Sequence, residues 1–391
     1  MNIALFTDTY PPFINGVSTS CYNLVQTLRE HGHTCIVITP RTTNGKMEII
    51  DDVIYMPGIE MKKLYGYRIT PIYSRKVTKI LKERKIEIIH NQTDATIGIF
   101  GRKAAKKLKV PLVYTYHTSY EDYTYYATHG FLDRIAKKVV RMYTRSIARN
   151  ASEFITPSIK TKDFMRSVGH DIYVNVIPTG IDFNIFDEKY FDLEKAKEFK
   201  KAHGIDEDTK TVLLLGRVAK EKSMDLSIKY FANYVKLHPE KKLKMIVVGD
   251  GPQRPELETL TKTLGIDHLV DFIGFVMAKE VPFYYHLCDV YNSASITETQ
   301  GLTFMEAMVA KAIVLARFDD NLSDTIIDGR TGYFFTDEES YNQKLDIILN
   351  QSKEEKDNII KQALEVIDQY SMDKFYTNIM EVYNRAIRKH W

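Results

Sequence analysis

Short runs of β-branched apolar residues alternate with longer stretches of helical periodicity, and this alternation constrains the fold more than anything else in the sequence. Residues 2–6 form an apolar run. After a loop containing Pro11, Pro12 and Gly16, the residues Val17, Cys21, Leu24, Val25 and Leu28 recur at helical spacing, and Gly32 follows as a stop. Further strands are expected at 34–39, 53–56, 87–90, 112–115, 153–156 and 174–177. Strands separated by helical segments in this way pack as a parallel, doubly wound sheet covered on both faces.

The run Ile177-Pro178-Thr179-Gly180-Ile181-Asp182 breaks the pattern and reads as a linker. Beyond it the alternation restarts, with strands expected at 211–215, 244–248, 269–273, 289–292 and 313–316. A chain of 391 residues exceeds one ordinary core. Two α/β domains are therefore expected, 1–180 and 181–372, with a last helix at 373–391 that could cross back to the first.

Several classes are excluded. With 44% hydrophobic and 27% charged residues the chain is neither disordered nor a repeat scaffold. No apolar run approaches the ~20 residues that span a bilayer. The first residues lack a basic segment and a long apolar core, so they read as a strand and not as a signal peptide. Cys21, Cys35 and Cys288 form no CxxC pair, which fits a reducing cytoplasm. No GxGxxG follows the first strand and no GxxxxGK[ST] occurs, which argues against a dinucleotide cofactor and a P-loop.

The net charge of +3 conceals an asymmetry: residues 1–180 hold 26 Lys and Arg against 15 Asp and Glu, and the remainder holds 28 against 36. A basic first half suits an anionic surface, membrane or nucleic acid, although exposed lysines also serve solubility alone.

Five constellations could carry chemistry. Glu298 and Glu306 frame Gly301, which is expected to open a helix over 301–310. The free N–H groups and positive end of such a helix suit a phosphate. Glu306 would stand about 7.5 Å further along, placed for a hydroxyl. Ordinary capping acids on a surface helix would look the same. Arg217 and Lys222 follow the strand 211–215, where they could neutralise a diphosphate or simply be solvated. Gly249-Asp250-Gly251 is a tight turn after a strand, and Asn15-Gly16 opens the first helix. His117 stands at the end of the strand 112–115, amid Tyr114, Tyr116, Tyr120, Glu121, Asp122 and Tyr123. With Glu121 it suggests a metal, but no second His or Cys at ligand spacing accompanies them.

Together these motifs resemble retaining glycosyltransferase family 4. Glu298 and Glu306 form its E-x7-E motif, Arg217 and Lys222 match its diphosphate-binding pair, Asn15-Gly16 its glycine-rich loop, and 177–182 its interdomain segment. The resemblance covers essentially the whole chain. It implies the GT-B fold, two Rossmann-like doubly wound α/β domains, and a sugar-nucleotide donor. It further implies that Arg217, Lys222 and the N–H groups of Gly16, Gly301, Leu302 and Thr303 stabilise the leaving diphosphate, with Gly251 also in the donor site. Glu306 would hold the ribose hydroxyls and Glu298 those of the donor sugar. His117 would contact the sugar near the reacting centre and help align the acceptor. No metal is required if the cations do this work. Two departures stand out: Asn15-Gly16 replaces a paired glycine, and Ala310-Lys311-Ala312-Ile313 replaces the usual small-Gly-x-Pro.

The runs 114–118 and 121–123, Glu298-Thr299-Gln300-Gly301-Leu302-Thr303 and Phe318-Asp319-Asp320-Asn321-Leu322 are similar to the subgroup that glucosylates diacylglycerol at the bacterial membrane. That subgroup implies UDP-glucose as donor, diacylglycerol as acceptor, an α-glycosyl product, and a cytoplasmic protein bound peripherally to the inner face of the membrane. Tyr120 and Tyr123 are then acceptor candidates. Arg134, Lys138, Arg141, Arg145 and Arg149 recur at three- or four-residue steps beside Leu132, Ile135, Val139, Met142 and Ile147. A second basic region covers 62–85. Each cation near an anionic leaflet contributes ~1 kcal/mol, so several suffice for reversible docking. A soluble or polyprenyl-linked acceptor is the competing enzyme reading, and glucose is not separated from galactose. Basic charge with Tyr114, Tyr116, Tyr120 and Tyr123 could suggest nucleic-acid binding, but these tyrosines are expected beside His117 at a crevice and no nucleic-acid motif is present; no oligomeric state is implied.

Overall fold

The computed structural model describes residues 1–13, 15–61, 68–117, 133–167, 173–296, 298 and 300–390, with the side chains at 133–137, 139–141, 149, 160 and 167 outside that description. The chain divides into two compact units, Met1–Gly180 with Met372–Trp391, and Ile181–Ser371. It leaves the first unit after Gly180 and returns to it at Met372. By composition the first unit holds 30 basic and 17 acidic residues and the second 24 and 34.

The strands of the first unit are β1 (Asn2–Phe6), β2 (Thr34–Pro40), β3 (Glu48–Ile50), β4 (Val53–Met56), β5 (Ile59–Glu60), β6 (Arg68–Ile69), β7 (Ile88–Asn91), β8 (Leu112–Thr115), β9 (Glu153–Thr156) and β10 (Val174–Val176). Eight of them form one sheet in the order β10-β9-β8-β7-β1-β2-β4-β3, and β5 pairs with β6. All neighbours in the large sheet are parallel except β3, which returns antiparallel on β4. Strand order reverses between β1 and β7, and ligands of such sheets bind outside the carboxyl ends of the strands at that point.

Side-chain alternation along β1 builds two separate cores. Ile3 and Leu5 pack with Leu24, Val25 and Leu28 of the helix Gly16–Glu30 and with Phe375, Ile379 and Tyr383 of the last helix, Met372–His390. Ala4 and Phe6 face the other way, onto Val77 and Leu81 of the helix Arg75–Glu83 and Phe100 and Ala104 of the helix Thr96–Leu108. The last helix is clamped to the sheet by a buried carboxylate. Glu153 Oε1 lies 2.7 Å from Lys389 Nζ and 3.3 Å from Arg385 Nε, and Asn175 Nδ2 donates to Glu153 Oε2 at 2.9 Å.

The second unit repeats the design with β11 (Lys210–Leu215), β12 (Leu243–Val248), β13 (Val270–Gly274), β14 (Val290–Ser293), β15 (Ile313–Arg317) and β16 (Tyr333–Phe335), all parallel, in the order β13-β12-β11-β14-β15-β16. Its reversal falls between β11 and β14. One face packs on the helices Val281–Leu287, Leu302–Val309 and Lys353–Ile367, the other on Met224–Leu237, Arg254–Leu264 and Glu338–Asn350.

Three expectations need correction. The short strands β3, β5, β6 and β16 escape a periodicity reading, because two or three residues carry no period. The helix expected at 301–310 runs Leu302–Val309, with Gly301 outside it as the cap. In the helix Asp133–Asn150, Ile147 is buried but Met142 is 56% exposed. Five residues turn a helix through about 140°, so the two side chains do not share one stripe.

Candidate active site

The second unit gathers its predicted residues at the reversal between β11 and β14. The loops leaving β11 and β12 lie against each other, and glycine permits it. Gly216 N–H donates to Val248 O at 3.0 Å. A Cβ on Gly249, at φ +127, would stand 1.9 Å from Gly216 O, and one on Gly251 would stand 2.3 Å from Val218 O. Only a bare backbone fits there. The Gly251 signal thus reports support for the loop that carries the two cations. In that loop Arg217 Nη2 lies 2.6 Å from Glu221 Oε1. Lys222, ending the single turn Lys220–Lys222, places Nζ 2.6 Å from Glu298 Oε1.

Beyond β14 the chain passes Glu298 and turns at Gly301, whose φ of +75 is left-handed and whose Cβ would meet Leu322 Cδ2 at 2.4 Å. This bend starts the helix Leu302–Val309, and the N–H groups of Leu302 and Thr303 in its first turn have no carbonyl of their own helix to bind. They form the positive end that suits an anion. The segment resembling the diacylglycerol subgroup braces this turn. Asn321 Nδ2 donates to the backbone oxygen of Glu298, Asp319 Oδ1 accepts from Asn321 N at 3.0 Å, and Leu322 packs against Gly301.

Glu306 stands one turn further on. Tyr285 OH lies 3.1 Å from Glu306 Oε2 and 3.0 Å from Thr303 O, and Tyr291 OH donates to Thr303 Oγ1 at 2.8 Å. Desolvation pushes the Glu306 carboxyl up to about 7, against the opposing pull of the Tyr285 hydroxyl. Lys311, where the family usually has glycine, adopts the left-handed φ of +64 that glycine would supply.

In the first unit, Asn15 caps the helix Gly16–Glu30, its side chain accepting from Ser18 N at 2.8 Å, so Gly16 opens that helix. His117 follows β8, and its Nε2 lies 2.5 Å from Gln92 Oε1 at the end of the neighbouring β7. Burial lowers the imidazole to about 4, so it is neutral at physiological pH. Tyr114 and Tyr116 do not line a crevice as expected. Both are buried in a core cluster with Phe154, because residues two apart on a strand share a face.

Tyr120, Glu121, Asp122, Tyr123 and residues 62–67 lie outside the described residues, as do the side chains of Arg134 and Arg141. Lys138 and Arg145 are exposed on the helix Asp133–Asn150. The sequence reading missed Glu221, Tyr285 and Gln92. Only Glu221, four residues after a cation, left a trace in the local pattern.

Among the described residues no group of three His, Cys, Asp or Glu side chains could hold a metal ion, and no helix is long and apolar enough to cross a membrane.

Comparison with known proteins agrees with this arrangement. Residues 14–184 match the family model Glycosyltransferase Family 4, and residues 195–366 match Glycosyl transferases group 1. The chain is 36% identical to the alpha-monoglucosyldiacylglycerol synthase of Acholeplasma laidlawii, over 87% of this chain and 86% of that one. It is 33% identical to the enzyme of the same name from Streptococcus pneumoniae, over 86% and 75%. Among solved structures, Anabaena HepE in complex with UDP and glucose superposes with a TM-score of 0.73 at 18% identity, covering 98% of this chain and 99% of that one. Two parallel-sheet units, matching models over both halves and these relatives make the chain a member of glycosyltransferase family 4, a sugar-transferring enzyme of GT-B fold.

Proposed function

We propose that the enzyme transfers glucose from UDP-glucose to diacylglycerol at a membrane surface, with retention, forming an α-glucosyl diacylglycerol. The observation that carries this reading is the second unit's reversal point. Two cations, two carboxylates and a helix N-terminus converge there, and two relatives at 36% and 33% identity are named for glucosylating diacylglycerol. HepE supports the donor, since the same fold is solved there with UDP-glucose.

In this reading the unit Ile181–Ser371 binds the nucleotide sugar. Glu306 accepts hydrogen bonds from the ribose hydroxyls, and Glu298 holds the hydroxyls of the glucose. As the glycosidic bond lengthens, the anomeric carbon gains positive charge and the diphosphate gains negative charge. Arg217, Lys222 and the N–H groups of Gly16, Leu302 and Thr303 stabilise the latter, which needs no metal ion. Neutral His117 meets the sugar near the reacting carbon. The acceptor hydroxyl attacks from the face the diphosphate leaves, and the departing phosphate oxygen takes its proton, which gives retention.

The first unit, with its return helix, takes the acceptor and the membrane. Its excess of basic residues supports this, as do exposed Arg75, Lys76, Lys79 and Lys82 on a helix that buries Val77 and Leu81. Lys138 and Arg145 add two more exposed cations. Electrostatic docking with shallow apolar burial is the expected mode. The test is co-sedimentation with anionic and neutral vesicles containing diacylglycerol, followed by assay with labelled UDP-glucose, UDP-galactose and GDP-mannose. Binding to anionic vesicles that weakens with salt, and label from UDP-glucose in the lipid, supports the reading. Label reaching only a water-soluble acceptor contradicts it.

A further inference from the structure

The carboxyl ends of β7 and β8 carry a cluster of which the mechanism above uses only His117. The strands pair with His90 opposite Val113 and Asn91 opposite Tyr114. By strand alternation His90 and Gln92 share a face, as do Thr115 and His117. His90 is fully buried, with Nδ1 2.8 Å from Tyr383 OH of the return helix and Nε2 2.7 Å from Thr115 Oγ1. Gln92, 2% exposed, lays its amide nitrogen 3.1 and 3.3 Å from the two ring nitrogens of His90. Nearly equal distances put that nitrogen over the ring face. The Gln92 carbonyl oxygen is thereby aimed at His117 Nε2, 2.5 Å away.

This arrangement has one consistent proton assignment. A carbonyl oxygen only accepts, so His117 Nε2 must carry the proton it donates. Reversing the Gln92 amide would set its oxygen against both nitrogens of His90, one of which bears a lone pair. Desolvation keeps both imidazoles neutral, and among the described residues they are the ionisable groups of the cluster besides Tyr383, whose phenol burial holds well above its usual range. His117 Nδ1 is then left with a lone pair.

We infer that Gln92 is a positioning residue for the transfer reaction: it fixes His117 as the neutral Nε2–H tautomer, so that Nδ1 accepts a hydrogen bond from a hydroxyl of the bound substrate. His90, held by Tyr383 and Thr115, is the floor on which Gln92 rests. The role in transfer rests on the proposed placement of His117 at the sugar; the tautomer does not.

The test compares the parent chain with Gln92→Glu and Gln92→Met. Imidazole ¹⁵N spectra of the parent should show His117 neutral, with the proton on Nε2, from pH 8 down to about pH 5. In Gln92→Glu a carboxylate faces Nε2, and an adjacent opposite charge raises a histidine pKa by ~1–3. The His117 midpoint should rise by about two pH units, and kcat should acquire an acidic limb with the same midpoint while UDP affinity stays within about twofold. Gln92→Met, similar in length but without the acceptor, should mix the tautomers and lower kcat about tenfold without an acidic limb, the size expected when one aligned hydrogen-bonding group is lost. A parent spectrum with the proton on Nδ1 overturns the inference, and so does a Gln92→Glu chain whose His117 titration and kcat profile match the parent's. Failure of the parent to transfer glucose would instead strike the functional reading, and the spectra would still decide the tautomer.

Discussion

Lys222 Nζ lies 2.6 Å from Glu298 Oε1, so two residues separated by 76 positions neutralise each other at the reversal point of the second unit. In the proposed mechanism an incoming diphosphate would compete with Glu298 for this ammonium, and the sugar hydroxyls engaging Glu298 would compensate the carboxylate for what it gives up. Donor binding on this proposal exchanges one set of charge-assisted bonds for another.

This exchange predicts opposite effects on binding and rate. Glu298→Gln should leave UDP affinity equal to or above the parent's, because Lys222 is released, while kcat falls on the order of a hundredfold through loss of the sugar contact. Calorimetric titration of UDP together with steady-state kinetics checks both. A tenfold loss of UDP affinity would show that Glu298 supports the nucleotide directly.

Arg217→Ala and Lys222→Ala each remove a cation that the proposal sets against the departing diphosphate. A loss of ~3 kcal/mol in transition-state stabilisation, about a hundredfold in kcat/KM, is expected for each, with circular dichroism unchanged. Activity should survive EDTA if, as proposed, these cations supply the neutralising charge. Near-parental rates in both variants, or inactivation by EDTA reversed by Mg²⁺, would remove the cations from the mechanism.

Glu306 gives the site a pH dependence. Its carboxyl is raised to about 7 by burial, and ribose hydroxyls are best accepted by the carboxylate. UDP affinity should therefore rise as pH increases from about 6 to 8, and Glu306→Gln should flatten that rise while weakening UDP at pH 8 about tenfold. The stability sign runs the other way. A raised folded-state pKa means the unliganded fold loses stability as pH climbs from 4.5 through about 7. Glu306→Gln should thus melt higher than the parent at pH 8 and alike below pH 4.5.

The clamp on the return helix is testable by unfolding. Burial raises the Glu153 carboxyl, but hydrogen bonds from Lys389, Arg385 and Asn175 outweigh it and hold the group below its usual range. Its contribution is present above the ordinary carboxylate pKa and disappears as pH falls through the lower folded value. Breaking a buried pair costs ~3–5 kcal/mol, less here because both cations are partly exposed. Glu153→Ala should lower stability at pH 7 by about 2 kcal/mol in urea titrations, with the gap to the parent narrowing towards pH 3. An unchanged midpoint at pH 7 would mean the apolar contacts of Phe375 and Ile379 hold the helix alone.

The long strands and the motif residues were legible in the sequence because each is a local pattern: an apolar run buried on both faces, then a loop whose glycines and cations must sit at a strand end. Residues such as Arg217 and Gly301 are found by counting from those ends. The side chains that aim them were not legible. Tyr285 meets Glu306 across 21 positions and Gln92 meets His117 across 25, and neither tyrosine nor glutamine carries a local signature for such a partner. Tyr114 and Tyr116 misled for the opposite reason: aromatic residues beside a candidate site histidine look like a binding surface until strand parity turns them into the core.

Transfer of glucose to diacylglycerol with retention is decided by identifying the lipid product. The chain is incubated with UDP-[¹³C]glucose and anionic vesicles containing diacylglycerol, and the extracted lipid is examined by mass spectrometry and by NMR of the anomeric centre. The expected product is a monohexosyl diacylglycerol with the glucose in the α configuration. A β-linked product, or labelled sugar absent from the diacylglycerol fraction while donor is consumed, would contradict it.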